Sequence, residues 1–100
     1  MRNVIAIHME VEGSNHLEHI SILRWSLTSN AGERDVTNPK ETDRAEMYAF
    51  VKNNKDQAYA ISSNDDKYAF LEAVDNGHVQ YVKTLPDSTK NDNLLSLPRF

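Results

Sequence analysis

The last ten residues constrain what this chain can fold into more than any other segment. They read NDNLLSLPRF and carry three leucines, a proline and a phenylalanine, whereas the ends of soluble domains are usually polar and poorly ordered. Burying four large apolar side chains contributes about 6–12 kcal/mol before ordering costs, against about 5–15 kcal/mol for the whole stability of a small domain. We therefore expect residues 94–100 to dock into the fold; the alternative is a tail that adheres to a partner.

Length and charge limit the classes of function. One hundred residues suit a single domain, residues 1–100, with one modest core. Fifteen acidic and eleven basic side chains give a formal net charge of −4, which argues against a general nucleic-acid binder because such proteins neutralise phosphates. We expect neither a signal peptide nor a membrane-spanning segment, since no apolar run is long enough.

The chain contains no cysteine. Disulfides, thiolate metal sites and cysteine catalysis are therefore excluded. This composition fits a reducing compartment, and we expect a cytoplasmic protein. No metal or other cofactor is predicted.

Alternating apolar residues predict several strands. The predicted strands cover residues 4–12, 17–28, 58–62, 67–74 and 78–84. On the first strand, one face carries Ile5, Ile7, Met9 and Val11. A turn at Gly13 should join the first two strands as an antiparallel hairpin, and Asn76-Gly77 predicts a two-residue type I′ turn between the last two.

One helix is predicted after the polar loop of residues 29–39. Asp43 followed by Glu46 matches a capping box. The apolar residues that recur at helical spacing are Met47, Phe50 and Val51. The helix should end at Asn53-Asn54, because asparagine tolerates the left-handed conformation found at helix ends.

The order of the elements indicates the fold class. Strands that run before and after a single helix favour an α+β fold over a parallel βαβ sheet. We predict an antiparallel sheet of about five strands, in the order β-β-α-β-β-β, with one helix packed on one face and an ordered C-terminal tail.

Four motifs in chain order resemble a known family. They are Ile5-x-Ile7, Ile22-Leu23-Arg24-Trp25, Arg44-x-Glu46-Met47 and an ending that runs from Tyr81 through Asp92-Asn93-Leu94-Leu95-x-Leu97-Pro98-x-Phe100. This pattern resembles a family of short bacterial proteins of unknown function, also found in phages and mobile elements. The ending is its specific part, and Asn53-Asn54-Lys55 departs from it where relatives often carry a glycine. The resemblance implies a compact stand-alone domain and no particular reaction.

The densest polar cluster is a candidate binding site. It comprises Asp87, Thr89, Asp92 and Asn93. Carboxylates and amides are hard oxygen ligands, so the cluster fits a cation or acid–base site. The alternative, which we favour, is that these side chains hydrogen-bond to backbone groups and hold the loop in shape.

Arg24 and Trp25 are a second candidate. The pair fits stacking on a base or on a partner's ring, but a tryptophan in a small domain is more often a core anchor. His16 and His19 suggest metal binding, yet in a strand they would point to opposite faces and lie in solvent.

Three functions remain open. The absence of a catalytic motif favours a non-catalytic module that binds an unidentified protein, with a homodimer as one form and an open sheet edge as one contact surface. The second is a small-ligand-binding or enzymatic domain that uses Asp87, Asp92 and Asn93. The least favoured is nucleic-acid binding through basic side chains, namely Arg24, Arg44, Lys52 and Lys55.

Overall fold

The computed structural model describes residues 1–84 and 92–100. Within them the chain forms one α-helix, six strands and two 3-10 turns. The strands are β1 (Arg2–Met9), β2 (Ile20–Leu27), β3 (Lys40–Asp43), β4 (Ala58–Ile61), β5 (Tyr68–Asp75) and β6 (Gln80–Thr84). The helix α1 covers Arg44–Asn53, and the 3-10 turns cover Leu17–His19 and Asn93–Ser96.

The strands form one mixed sheet in the order β3-β2-β1-β4-β5-β6. The α+β class is confirmed, but the wholly antiparallel sheet of about five strands is not, because β1 and β4 run parallel and a sixth strand is present. The extra strand is β3, which lies between the predicted loop of residues 29–39 and the predicted helix and includes the predicted cap, Asp43. Its four residues carry no apolar alternation, and β3 is defined by its antiparallel pairing with β2.

A β-bulge in β1 decides which of its side chains enter the core. Val4 pairs with Trp25 and Ala6 pairs with Arg24, so Ile5 is the extra residue. The bulge places Val4 with Ile7 in the buried core. The prediction that Ile5 shares a face with Ile7 is therefore wrong, since a bulge shifts the alternation by one residue.

The predicted helix start is confirmed. The backbone N–H of Glu46 donates to Oδ1 of Asp43 at 2.8 Å, which satisfies one of the free donors of the first turn. Asn54 follows the helix with φ −137°, so its predicted left-handed conformation is wrong. Its Nδ2 instead donates to the Phe50 carbonyl at 2.9 Å.

The main core lies between the sheet and α1. Met47 and Val51 of the helix belong to the same buried cluster as Leu71 of β5 and Val82 of β6. The helix therefore covers one face of the sheet, as predicted. At ten residues α1 is short, and no helix within residues 1–84 and 92–100 has the length and apolar character needed to cross a bilayer.

The loop of residues 28–39 covers the opposite face. Tyr59 of β4 is fully buried there, and its hydroxyl donates to the Glu33 carbonyl at 2.6 Å. Ser26 donates to the Asp35 carbonyl at 3.1 Å. Gly32 packs so closely on the Tyr68 ring that a Cβ would lie 3.3 Å from it. All four residues of β4 are buried because both faces are covered.

The β5–β6 hairpin is confirmed, but its turn differs from the prediction. Asp75 pairs with Gln80, so four residues form the loop rather than two. Of Asn76 and Gly77, only Gly77 has a positive φ, whereas a type I′ turn requires both. The Asn76 side chain accepts from the backbone N–H groups of His78 and Val79, each at 2.9 Å, and thereby stabilises the longer loop.

His16 and His19 lie side by side, with ring centroids 5.4 Å apart. The prediction that they point to opposite faces is wrong, because Leu17–His19 is a 3-10 turn in which residues three apart eclipse each other. Nδ1 of His19 is 2.7 Å from the Ser14 hydroxyl. No group of three histidine or acidic side chains among the described residues is arranged to hold a metal ion.

The C-terminal tail docks into the fold, as its composition predicts, but Phe100 is 37% exposed and is not buried as expected. Leu94 is fully buried and Leu97 is 7% exposed, and both belong to the core cluster. The Ile7 N–H donates to the Pro98 carbonyl and the Phe100 N–H donates to the Ile7 carbonyl, both at 3.0 Å. The tail thus continues the sheet alongside β1 beyond the point where β4 ends.

Candidate binding surfaces

Asp92 is a buried carboxylate that joins the tail to β6. It is 3% exposed, and it caps the 3-10 turn of residues 93–96. Its Oδ1 accepts from the Leu94 N–H at 2.8 Å and its Oδ2 accepts from the Thr84 N–H at 3.0 Å. Hydrogen bonds to a charged carboxylate are strong, so Asp92 holds the backbone of the tail against the backbone of β6.

Asn93 also connects the tail to the neighbouring strands by hydrogen bonds. Its Nδ2 donates to the carbonyls of Ala60 at 3.0 Å and Lys67 at 3.1 Å, and its backbone N–H donates to the Thr84 hydroxyl at 3.1 Å. One side chain therefore links the tail to β4 and to the start of β5. These hydrogen bonds fit the interpretation that Asp92 and Asn93 hold the chain in shape by bonding to backbone groups.

The other half of the predicted polar cluster is Asp87 and Thr89. Both fall in residues 85–91, outside the described part of the chain. The use of the whole cluster as a cation or ligand site therefore stays a prediction.

Arg24 lies on the surface of β2 and is engaged on two sides. Its Nε and one terminal nitrogen donate to a carboxylate oxygen of Glu41 at 3.1 and 2.8 Å. Its guanidinium carbon lies 4.0 Å from the centroid of the Phe100 ring. The Phe100 carbonyl in turn accepts from Nδ1 of His8. These contacts tie β2, β3 and the tail together.

Trp25 is a member of the core. It is 7% exposed, and its indole N–H donates to the Thr42 hydroxyl at 2.7 Å. A buried tryptophan with its N–H satisfied is the arrangement expected of a core anchor. A direct binding role for Arg24 and Trp25 remains a prediction.

The structure brings together two exposed apolar side chains that the sequence analysis did not single out. Leu27, at the end of β2, is 64% exposed, and Val36 is 53% exposed. Both line one surface depression of about 410 Å³, together with the acidic residues Glu33 and Asp35. We refer to these four residues as the Leu27–Val36 surface.

The Leu27–Val36 surface carries fixed negative charge. The Glu33 carboxylate accepts from the backbone N–H groups of Asn30 and Ser29 at 3.0 and 2.9 Å, and from the Asn30 side chain. These hydrogen bonds, those of Asn30 first, lower the pKa of Glu33 below its usual value. Glu33 therefore stays ionised into mildly acidic solution.

A second depression, the Asn3 cleft, lies on the same side of the sheet as the loop. Its volume is about 190 Å³. The side chains that matter chemically are Asn3 of β1, Arg34 of the loop, and Ser62, Ser63 and Asp66 of the β4–β5 connection. Arg34 and Asp66 form an ion pair at 3.2 Å across its rim.

Neither depression shows in the sequence as a motif. Leu27 and Val36 are nine positions apart, and Leu27 shares its alternation with the buried Leu23 and Trp25. The one available signal is that Val36 is the only large apolar residue in the polar stretch 29–39. The Asn3 cleft combines four segments that are distant in the sequence, and no local pattern predicts it.

Fold and surface together define a small α+β protein: one helix on a mixed sheet, with a polar loop on the other face. The sequence model of the DUF3892 family, proteins of unknown function, matches residues 3–98. The chain belongs to this family. Comparison with curated proteins and with solved structures found no match.

Proposed function

We propose that the protein is a non-catalytic module that binds another protein through the Leu27–Val36 surface. The observation that carries this proposal is the exposure of two large aliphatic side chains, 64% and 53%, in a single depression. Grouped exposed apolar side chains with a polar rim mark interaction sites more often than single ones do. Val11, Tyr68 and Phe100 are also exposed, but they lie outside this depression.

The charge around the depression indicates the partner's chemistry. Glu33 and Asp35 present carboxylates beside Leu27 and Val36, and Glu33 is held ionised by its loop. Complementary charge steers association and excludes wrong partners. The partner segment should therefore present an apolar side chain to the depression and flank it with lysine or arginine.

Selection from a random peptide library tests this proposal even while the partner is unidentified. The wild-type protein should enrich peptides that combine a large apolar residue with basic neighbours. The double variant Leu27→Asp/Val36→Asp should lose that enrichment. Val11→Asp is the matched control, since it adds one charge at another exposed valine and should retain it.

Two results would overturn the proposal. One is a lack of enriched peptides, or enrichment that the double variant retains. The other is enrichment of acidic peptides, which the negative rim should repel. Binding of the enriched peptides should also weaken as salt is raised, because the charged rim is exposed and screened.

A second copy of this chain is the other occupant to be tested. Its net charge of −4 and the acidic rim oppose self-association through this surface. Sedimentation equilibrium distinguishes the two: a dimer that Leu27→Asp dissociates would replace the foreign partner with a homodimer. The proposal predicts that the wild-type protein and the Leu27→Asp variant are both monomers.

The other functions have weaker physical support. A ligand-binding or enzymatic site at Asp87, Asp92 and Asn93 has to compete with the backbone hydrogen bonds that Asp92 and Asn93 already make. Nucleic-acid binding has to compete with the ion pairs of Arg24 with Glu41 and of Arg44 with Glu10.

The family resemblance extends the proposal to a biological setting. In a bacterial cytoplasm, or encoded by a phage or mobile element, a small binding module would act by occupying a host protein. Gene neighbourhood tests this part: a fixed neighbouring gene would name the partner, and a position outside any mobile element would remove the phage association.

A further inference from the structure

We propose that Asp35 is the residue of the Leu27–Val36 surface that selects the partner, and that it selects an arginine side chain. The inference rests on the proposed function and deepens it, because it gives the two carboxylates of that surface different roles. Asp35 binds the cation of the partner, whereas Glu33 holds the loop in shape.

The carboxylate of Glu33 is largely occupied by the loop itself. Its Oε1 accepts from the backbone N–H groups of Ser29 at 2.9 Å and Asn30 at 3.0 Å, and its Oε2 accepts from Nδ2 of Asn30 at 3.3 Å. A carboxylate offers about four acceptor positions, so these hydrogen bonds fill most of them. A cation brought by a partner has to compete with the loop for Glu33.

The carboxylate of Asp35 is available. The residue is exposed, and its backbone carbonyl accepts from the Ser26 hydroxyl at 3.1 Å. No donor or cation within residues 1–84 and 92–100 pairs with either oxygen of its carboxylate. The neighbouring arginine, Arg34, pairs with Asp66 instead. Both Asp35 oxygens therefore keep their full capacity to accept hydrogen bonds from a partner.

The backbone around Asp35 is fixed before a partner arrives. Ser26 is fully buried in β2, and its Oγ both donates to the Asp35 carbonyl and accepts from the Thr37 N–H at 3.0 Å. These two hydrogen bonds lie on either side of Val36 and fasten this part of the loop to the strand. Binding at a pre-organised acceptor costs little ordering entropy.

A free carboxylate beside aliphatic side chains favours arginine over lysine. A guanidinium donates two parallel N–H groups to the two oxygens of a carboxylate, whereas an ammonium acts as a point charge. The methylene stem of an arginine can pack on Leu27 and Val36, and its head is less strongly hydrated than that of lysine. Arginine is therefore the basic neighbour that this surface should prefer.

The depression has room for this arginine stem beside the apolar side chain of the partner. Its volume is about 410 Å³, within the range of roughly 300–1,000 Å³ typical of sites that bind whole small ligands. An exposed ion pair contributes little to binding. Here the apolar side chain of the partner excludes water from the depression, which strengthens the hydrogen bonds to Asp35.

The test is the same peptide selection, repeated with variants of the two carboxylates. The wild-type protein should enrich peptides that combine a large apolar residue with an arginine. Asp35→Asn preserves the size of the side chain and removes its charge. It should still enrich the apolar residue, but it should lose the arginine preference and bind the wild-type peptide about tenfold more weakly.

Two controls isolate Asp35 from the general negative charge. Glu33→Gln keeps an oxygen for the loop N–H groups, so it should retain the arginine preference with an affinity within about threefold of the wild type. Asp56→Asn removes one charge at an exposed position outside the depression and should behave as the wild type.

Two further changes test the choice of arginine. Replacing the arginine of the enriched peptide with lysine should weaken binding about fivefold, because one of the parallel hydrogen bonds is lost. Asp35→Arg should enrich an acidic residue in place of the arginine, since the charge at the selecting position is reversed.

Three outcomes would overturn the inference alone. They are an arginine preference that Asp35→Asn retains, equal losses in Asp35→Asn and Glu33→Gln, and a lysine peptide that binds as tightly as the arginine peptide. In each of them the wild-type protein still enriches apolar and basic peptides, so the proposed function stands. A selection in which the wild-type protein enriches no peptide would remove both.

Discussion

The guanidinium carbon of Arg2 lies 3.6 Å from the centroid of the Phe50 ring and 4.1 Å from that of Trp25. A cation from the start of β1 is thus placed between an aromatic ring of α1 and one of β2. Burial lowers the pKa of Arg2, and the carboxylate of Glu46 partly opposes this effect. The side chain joins the helix to the central strands where the apolar core ends.

Replacing Arg2 by alanine should lower the free energy of unfolding by about 1–2 kcal/mol, because both cation–π contacts and the packing of the side-chain stem are lost. Arg34→Ala removes a largely exposed arginine and should change stability by less than about 0.5 kcal/mol. Urea denaturation measures both. Equal effects would show that the aromatic contacts of Arg2 contribute nothing.

The buried carboxylate of Asp92 predicts a cost for a nearly isosteric change. Asp92→Asn replaces one accepting oxygen with an NH₂ group that faces a backbone N–H, either that of Thr84 or that of Leu94. We expect a loss of about 1–3 kcal/mol. Glu12→Gln, an exposed control, should be neutral, and a neutral Asp92→Asn would favour a ligand-binding role over a structural one.

Tyr59 predicts a loss of stability in alkaline solution. Burial, and to a smaller extent the charges of Glu33 and Asp35, raise its pKa above the usual value of 10.0, although its hydrogen bonds oppose this. The folded state therefore retains the phenolic proton that the unfolded chain releases, and stability falls as the pH rises above about 10. Denaturant unfolding between pH 8 and 11 should show a steeper fall for the wild type than for Tyr59→Phe; parallel curves would contradict the prediction.

The docked tail predicts a severe effect of truncation. Leu94 is fully buried, so Leu94→Ala should cost about 2–5 kcal/mol. Deleting residues 94–100 should unfold or aggregate the protein. Leu27→Ala, at a leucine that is 64% exposed, is the matched control and should melt close to the wild type. A truncated protein with an unchanged melting temperature would make the tail a free binding peptide.

Elements with strong local chemistry were predictable from the sequence. The cap at Asp43, the apolar spacing of Met47 and Val51, and the hairpin around Gly77 depend on neighbouring residues alone. The docking of the tail was predictable from its apolar content. In each case a short segment carries the physical reason for its structure.

Features set by distant contacts were not predictable. The parallel pairing of β1 with β4 joins segments more than fifty residues apart, and β3 has no apolar pattern that separates it from a loop. The bulge at Ile5 reverses an alternation that looks regular in the sequence. Leu27 resembles a core residue by position, yet it is 64% exposed and lies beyond Trp25, the last residue of β2 that pairs with β3.

Amide hydrogen exchange of Ile7 and Phe100 tests the central structural claim most directly. Their N–H groups donate to Pro98 and to Ile7 across the junction between β1 and the tail. If residues 92–100 are part of the sheet, both amides should exchange far more slowly than in an unstructured peptide, and Ile7 should approach the global free energy of unfolding. Exchange of both amides at the unstructured rate would contradict the account.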